Sequence, residues 1–201
     1  MISNPGELER LLAEVDPFME EVKGDVMERM TIEKIDNLEF VKLAYMETMR
    51  LNAPAISSAT SCMTKDSKID GVDMRAEEAF WVGLSYASID PEQWKEPELF
   101  KPDRFDSTSE WFKKPDGSRR NNFAYAPFLG GIRVCLGKTF AEVTLRLTIP
   151  LWFHCFNFEY ENPEHNQKRP VAVIGATKPD PIRLKMITRN KVTDLPNFTK
   201  V

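Results

Sequence analysis

The stretch FLGGIRVCLGKTFA, residues 128–141 of a 201-residue chain, places a single cysteine between two glycines. Cys135 follows Arg133 by two residues, and a helix is predicted to begin just behind it. A helix amino terminus and a nearby guanidinium both stabilise a thiolate. Gly131 and Gly137 remove side chains on both flanks, as is needed where backbone approaches a large flat ligand. The stretch therefore predicts a thiolate that takes part in ligand binding.

Several interpretations of Cys135 are open on these residues alone. The apolar Phe128 and Leu136 are expected to shield the sulfur, which suits a metal ligand better than an exposed nucleophile. A lone cysteine is most often a buried structural residue. A cysteine nucleophile would need a base, and neither histidine lies in a recognisable motif. A phosphate loop has four residues between its first glycine and its Gly-Lys-Thr. In this chain five residues separate Gly131 from the Gly-Lys-Thr of 137–139.

Composition excludes several classes of protein. The net charge of −4 argues against a nucleic-acid binder. No apolar run reaches the roughly 18–20 residues of a membrane span. Cys62, Cys135 and Cys155 form no closely spaced pair, which argues against a disulfide framework and favours a reducing, intracellular compartment. The absence of a CxxC or HxxxH pattern argues against a zinc site.

The pattern of apolar residues and turns predicts a mainly α chain with small β-sheets (α+β). Asn4 is expected to cap a first helix with Glu7 completing a capping box, and a second helix is predicted over about 37–51. Pro150 is expected to kink or shorten the helix behind Cys135. The predicted segments are 1–54 helical, 55–86 a small sheet, 87–127 a long ordered coil, 128–137 the cysteine loop, 138–156 a helix and 157–201 terminal strands.

The cysteine stretch matches the pattern F-x-x-G-x-R-x-C-x-G-x-x-x-A, which resembles the haem-binding loop of the cytochrome P450 family. At about 5% usage per residue type, a chance match of the first five positions has odds of about one in three million per window. The matching residues are Phe128, Gly131, Arg133, Cys135, Gly137 and Ala141.

Two further stretches resemble motifs of the same family. YMETMRL (45–51) resembles the E-x-x-R helix, with Glu47 and Arg50 on one helical face, although an isolated E-x-x-R is usually a solvated surface pair. FKPDRF (100–105) resembles the P-E-R-F segment and supplies Arg104. The resemblance implies one structural cluster of these three residues, in which a carboxylate shared by two guanidinium groups pins the coil that leads to the cysteine loop.

The resemblance implies a single partial domain, the C-terminal, haem-ligating half of a cytochrome P450. Cys135 would be the axial ligand of haem b (iron protoporphyrin IX), and thus the catalytic and metal-binding residue. A complete member would oxidise a small organic substrate with dioxygen, taking electrons from a reductase or ferredoxin. The cofactor-binding residues implied are Phe128, Gly131, Arg133, Cys135, Leu136, Gly137 and Ala141.

The missing half of the fold leaves two hypotheses for function. The first is a monooxygenase fragment, completed by an N-terminal half that would also carry any membrane anchor. The second is a truncated, non-catalytic relative with a structural or binding role. A basic patch near the loop is expected to receive an acidic electron donor. Its residues are Lys113, Lys114, Arg119, Arg120 and Lys138.

The sequence also departs from the family pattern. Ser61 occupies the position where the family often has an arginine for a haem propionate, which leaves Arg133 as the predicted propionate partner. Ser88 replaces a frequent histidine before the Asp-Pro turn, and Asp103 replaces the glutamate of the P-E-R-F segment.

Overall fold

The structure is a computed structural model that describes residues 1–23, 26–162, 171–173, 176–178 and 183–189. The helices of these residues are α1 (Pro5–Glu21), α2 (Val26–Arg29), α3 (Ile32–Asp36), α4 (Glu39–Leu51), α5 (Leu84–Ile89) and α6 (Lys138–Cys155). The strands are β1 (Ser61–Cys62), β2 (Ser67–Ile69), β3 (Val72–Met74), β4 (Ala79–Phe80), β5 (Phe156–Tyr160), β6 (Val171–Val173), β7 (Ala176–Lys178) and β8 (Leu184–Thr188). None of the described helices has the length and apolar character that crossing a membrane requires.

Helix α1 begins at a proline, whose fixed φ suits the first helical position. The predicted capping box does not form, because Asn4 makes no side-chain cap hydrogen bond. The carboxylate of Glu7 is instead occupied by cations, since Arg10 Nη1 donates to it at 2.8 Å and Lys101 Nζ at 3.5 Å. The helix is therefore held by its apolar face, where Leu11 and Val15 are fully buried.

The core lies where α1 packs against α4 and α6. Helix α4 has no cap from its own N-cap residue, Leu38. Glu14 of α1 takes that role, because its Oε1 accepts from Phe40 N at 2.9 Å and its Oε2 from Val41 N at 2.8 Å. A carboxylate on one helix thus satisfies two of the unpaired N–H groups at the start of another.

A second carboxylate of α1 joins three elements of the fold. Asp16 Oδ1 lies 3.0 Å from Nδ1 of His154, near the end of α6. Arg189, which follows β8, donates from Nη2 to Asp16 Oδ2 at 2.9 Å and from Nη1 to the Phe153 carbonyl at 2.6 Å. We call Asp16, His154 and Arg189 the Asp16 cluster. It fastens the end of β8 to both helices.

Two expectations about secondary structure are corrected. The 55–86 segment forms two separate two-stranded pairings, β1 with β4 and β2 with β3, rather than one sheet. Its end is helical, because α5 begins at Leu84 and buries Leu84 and Ser88, four residues apart on one face. Helix α6 runs through Pro150 without being shortened. The proline removes only its own N–H, while the flanking apolar residues pack against the core.

The last part of the described chain pairs β5 with β8 in antiparallel register, from Phe156 opposite Thr188 to Tyr160 opposite Leu184. Strands β6 and β7 form a second antiparallel pair. The rest of the predicted terminal segment, namely residues 163–170, 174–175, 179–182 and 190–201, lies outside the described residues. Residues 87–127 are irregular apart from the end of α5 and 3-10 turns at Pro102–Phe105 and Glu110–Phe112.

Candidate functional site

The cysteine loop is a tight turn held by its own backbone. Cys135 N donates to the Phe128 carbonyl at 2.8 Å, and Lys138 N donates to the Cys135 carbonyl at 3.2 Å, where α6 begins. Gly131 has a φ of +63°, a conformation that favours glycine. At Gly130 a Cβ atom would lie 2.7 Å from the exposed ring of Phe123, so a side chain there would require that ring to move. The loop is thus shaped so that it presents Cys135 at the surface.

Cys135 is exposed and forms no disulfide, which contradicts the interpretation as a buried structural cysteine. The expected shielding by Leu136 is also absent, because Leu136 and Ile132 are fully exposed and Phe140 is largely exposed. Three bare apolar side chains beside a thiol are the surface that an apolar ligand would cover. Arg133 is exposed as well, and no ion pair to it occurs within the described chain.

The remaining interpretations of the loop lose support from its surroundings. No strand leads into it, as a phosphate loop requires, because the part of the chain described between β4 and α6 is helical or irregular. His154 cannot serve as the base of a cysteine nucleophile. It lies near the far end of α6, more than about 20 Å along the helix from the loop, and its Nδ1 is bound to Asp16. His165 lies outside the described residues.

The loop therefore fits a haem group in three respects: an accessible thiol, an apolar surface around it and an unpaired guanidinium for a propionate. The structure places the other implied residues around the same turn. Phe128 and Ala141 are partly buried on either side of the loop, and Gly137 is the N-cap of α6. Ser61, where the family often has a second propionate arginine, lies in β1 opposite Phe80.

The three residues of the implied structural cluster lie together, and all three side chains are 0% exposed. Arg50 makes a two-pronged contact with Glu47, from Nε to Oε2 at 2.7 Å and from Nη2 to Oε1 at 2.8 Å. Arg104 Nε donates to Glu47 Oε1 at 3.2 Å, and Lys101 N donates to the same oxygen at 2.8 Å. We call Glu47, Arg50 and Arg104 the Glu47 cluster.

The other N–H groups of the two arginines bind backbone carbonyls. Arg50 donates to the Ser88 carbonyl at 2.8 Å and the Leu99 carbonyl at 3.1 Å. Arg104 donates to the Lys95 carbonyl and, at 2.7 Å, to the Glu96 carbonyl. Burial lowers the pKa of Arg104, and the Glu47 carboxylate opposes that shift. The Glu47 cluster thereby fixes the irregular coil that leads toward the cysteine loop.

Sequence reasoning did not find Trp94, which connects this cluster to the chain before the loop. Trp94 is buried, donates from Nε1 to the Ala87 carbonyl at 3.0 Å and has two guanidinium groups over its ring. Arg50 Cζ is 5.1 Å and Arg120 Cζ is 4.3 Å from its ring centroid. A tryptophan three residues after an Asp-Pro turn was the only signal for this position.

Comparison with known proteins gives the family of the chain. The family model described as Cytochrome P450 matches residues 1–186. Costunolide synthase of Tanacetum parthenium is 31% identical over 163 residues, which cover 81% of this chain and 30% of that protein. Melianol synthase CYP71BQ5 of Azadirachta indica is 34% identical over 128 residues, covering 64% of this chain and 24% of that protein.

A solved structure shows the same fold. The heme domain of a cytochrome P450DA mutant superposes with a TM-score of 0.74 at 21% sequence identity, covering 96% of this chain and 41% of that one. The predicted fold class, helices with small antiparallel sheets as part of the cytochrome P450 fold, is thereby confirmed. The chain spans less than a third of the length of the two synthases that it matches.

Proposed function

Because the chain belongs to the cytochrome P450 family, we propose that it is the haem-binding part of a haem-thiolate monooxygenase with Cys135 as the iron ligand. The observation that carries the proposal is the exposed thiol, set among bare apolar side chains on a loop that matches the family pattern. Haem b bound there would supply the activation of dioxygen that oxidises a small organic substrate.

The residues of the loop have distinct roles in this proposal. Arg133 pairs with a propionate, because it is exposed and has no carboxylate partner in the described chain. The N–H groups of Leu136 and Gly137 donate to no backbone carbonyl among the described residues, so both are available to the Cys135 sulfur. Hydrogen bonds to a thiolate ligand stabilise its charge and tune the bound metal.

The proposal is tested by the absorption spectrum of the full chain with haem, reduced and exposed to carbon monoxide. A red-shifted Soret band, as a thiolate ligand produces, is expected for the native chain. Cys135→Ser should abolish the band, whereas Cys62→Ser should keep it, because Cys62 is also exposed but lies in β1. A band that persists in Cys135→Ser would refute the assignment of the ligand.

We further propose that an electron donor, a reductase or ferredoxin with an acidic surface, docks beside the loop. Exposed Lys113, Arg119 and Lys138 support this docking surface. Arg120 does not belong to it, because its guanidinium is half-buried over Trp94 and bound to the carbonyls of Trp111 and Arg104. Reversal of Arg120 would disturb the fold, so it is no test of docking.

A charge reversal on the exposed positions tests the docking surface. Lys113→Glu combined with Arg119→Glu is expected to slow haem reduction by the donor, most strongly at low salt. Lys65→Glu, an exposed lysine between β1 and β2, should leave the rate unchanged. An unchanged and salt-insensitive rate in the double variant would refute the docking surface.

The chain covers 24–30% of the length of these relatives, so two functions are proposed for it. The first is the haem-ligating part of a monooxygenase, with the N-terminal half on another chain or earlier in a longer protein. The second is a non-catalytic relative with a structural or binding role. Oxidation of a substrate that appears only when the N-terminal half is added would support the first. Haem binding with no oxidation of the substrate, both with and without the N-terminal half, would support the second.

The proposed compartment is reducing and intracellular. None of Cys62, Cys135 and Cys155 forms a disulfide, and burial raises the pKa of the Cys155 thiol. Exposed thiols at Cys62 and Cys135 persist in a reducing environment.

A further inference from the structure

Positive charge exceeds negative charge around the Glu47 cluster. Arg50 and Arg104 share the single carboxylate of Glu47, and Arg120 adds a third guanidinium next to them without an ion pair in the described chain. Arg120 Nη1 donates to the Trp111 carbonyl at 2.9 Å, and Nη2 donates to the Arg104 carbonyl. Both contacts are to neutral acceptors, so they leave the charge of Arg120 without a counterion.

This arrangement lowers the pKa of Arg120. Burial, followed by repulsion from Arg104, lowers the pKa of Arg120 to about 10, and Glu47 offsets only part of the shift. A guanidinium ordinarily keeps its proton beyond pH 12. An uncompensated charge in a partly desolvated place is energetically costly unless an anion approaches it.

A cavity of about 220 Å³ lies beside Arg120 and has the chemistry that such an anion needs. Its lining side chains include two arginines and two asparagines that can donate hydrogen bonds, and no Asp or Glu of the described residues lines it. The Asn121 Oδ1 atom accepts from Phe123 N at 2.8 Å, which leaves its Nδ2 group as a donor. These residues are Arg119, Arg120, Asn121 and Asn122, and the Tyr125 hydroxyl in the lining is a further donor.

Arg119 is the accessible member of this set. It is exposed, and within the described chain its guanidinium makes neither a hydrogen bond nor an ion pair. The lining also contains aromatic rings, including those of Trp94, Phe105 and Phe112. Aromatic walls reduce the screening by water and so strengthen the attraction between an enclosed anion and the two arginines.

We propose that this cavity is a binding site for a small oxyanion, of the phosphate or carboxylate class, held by Arg119 and Arg120. Guanidinium groups that line one cavity suit such ligands, because a guanidinium can donate two parallel hydrogen bonds to a pair of oxygens. The bound anion neutralises the excess charge and stabilises the coil that Arg120 joins to Trp111 and Arg104. The site is separate from the haem loop, and the proposal does not depend on haem binding.

Thermal unfolding of the full chain in increasing phosphate tests the site, with sodium chloride at matched ionic strength as the reference. A ligand that binds only the folded state raises Tm in a saturable way. We expect this rise in the native chain, and an apparent Kd weakened about tenfold in Arg119→Gln, which loses one charge-assisted contact. Lys113→Gln removes the same charge from a nearby exposed position and should keep the native Kd.

The outcomes separate a built site from general charge effects. Arg119→Gln removes no contact within the described chain, so it is expected to fold, and its Tm without phosphate checks this. A Tm that responds to phosphate no more than to chloride would overturn the proposal. An equal weakening of the phosphate Kd in Arg119→Gln and Lys113→Gln would also overturn it. The same holds if Arg119→Gln loses donor docking but leaves the phosphate Kd unchanged. Isothermal titration should give one phosphate per chain.

Discussion

The Glu47 cluster and the Asp16 cluster are both built around one carboxylate, but their surroundings differ. Each centres on one carboxylate that binds two cationic or titratable side chains from other parts of the fold. The three side chains of the Glu47 cluster are 0% exposed, whereas Asp16 is 23% and Arg189 17% exposed. When the Asp16 cluster is broken, water can therefore replace some of the lost hydrogen bonds. Water cannot do so in the Glu47 cluster, because its side chains are fully buried.

The two clusters also differ in what they hold. The Glu47 cluster binds three backbone carbonyls and one backbone N–H of the coil, and one carbonyl of α5, so it defines the path of a segment without regular structure. The Asp16 cluster joins elements that already form their own hydrogen bonds, α1, α6 and β8. We therefore expect the stability of the fold to depend strongly on the Glu47 cluster and less on the Asp16 cluster.

The largest effect is expected for Glu47→Gln. The change leaves two fully buried guanidinium groups without a counterion, which costs about 3–5 kcal/mol of the free energy of unfolding. Urea denaturation followed by circular dichroism measures the change. Exposed ion pairs contribute up to about 1 kcal/mol. A loss below that value would contradict the expectation that burial makes the Glu47 cluster the more important of the two.

A smaller loss is expected for Asp16→Asn, which is the matched change in the second cluster. The amide keeps one oxygen for His154 or Arg189, and the freed guanidinium is reached by water, so the cost should be about 1–3 kcal/mol. The same denaturation experiment applies. A cost equal to that of Glu47→Gln would show that burial does not govern the difference.

A third carboxylate, Glu14, extends the comparison to a group whose partners are backbone N–H groups. Glu14→Gln keeps the shape of the side chain but removes its charge from the start of α4, which should cost about 1 kcal/mol. Glu9→Gln on the same helix is a control, because Glu9 is exposed. A matching loss in both variants would exclude the cap as the cause.

The smallest effect is expected for the ion pair of Asp103 with Arg10, whose side chain is 46% exposed. The hydrogen bond from Arg10 holds the pKa of Asp103 below its usual value of 3.8. The pair therefore stabilises the fold above the unfolded pKa, and this contribution is lost as the pH falls through the lower folded pKa.

Asp103→Asn should consequently reduce the free energy of unfolding by less than about 1 kcal/mol at pH 7. The difference from the native chain should shrink as the pH falls below about 4. Urea midpoints at several pH values measure it. A difference that grows toward acid would contradict the direction of the pKa shift.

The sequence indicated those parts of the molecule whose residues lie close together along the chain. The loop of Cys135 is a single stretch, and Glu47 and Arg50 are three residues apart on α4. Family resemblance added Arg104, since its segment has a pattern of its own. Neighbours in sequence keep their spacing in any fold with the same local structure, so a pattern can report them.

The Asp16 cluster and the cap by Glu14 gave no such signal. His154 and Arg189 lie 138 and 173 residues from Asp16, and Glu14 caps a helix 26 residues away. The surroundings of Arg120, which the sequence predicted to take part in donor docking, gave no signal either, because its guanidinium is half-buried and bound to the carbonyls of Trp111 and Arg104. The sequence shows its charge but not Trp94 beneath its guanidinium.

The sequence by itself determined the family, the thiol and the glycines that shape its loop, because these depend on residue types at fixed local spacing. Only the tertiary structure decided which charges are buried, which apolar side chains beside Cys135 are bare, and where α1 meets α6 and β8. Burial and long-range pairing arise from how distant segments pack, and packing sets the dielectric surroundings and counterions of every charged group.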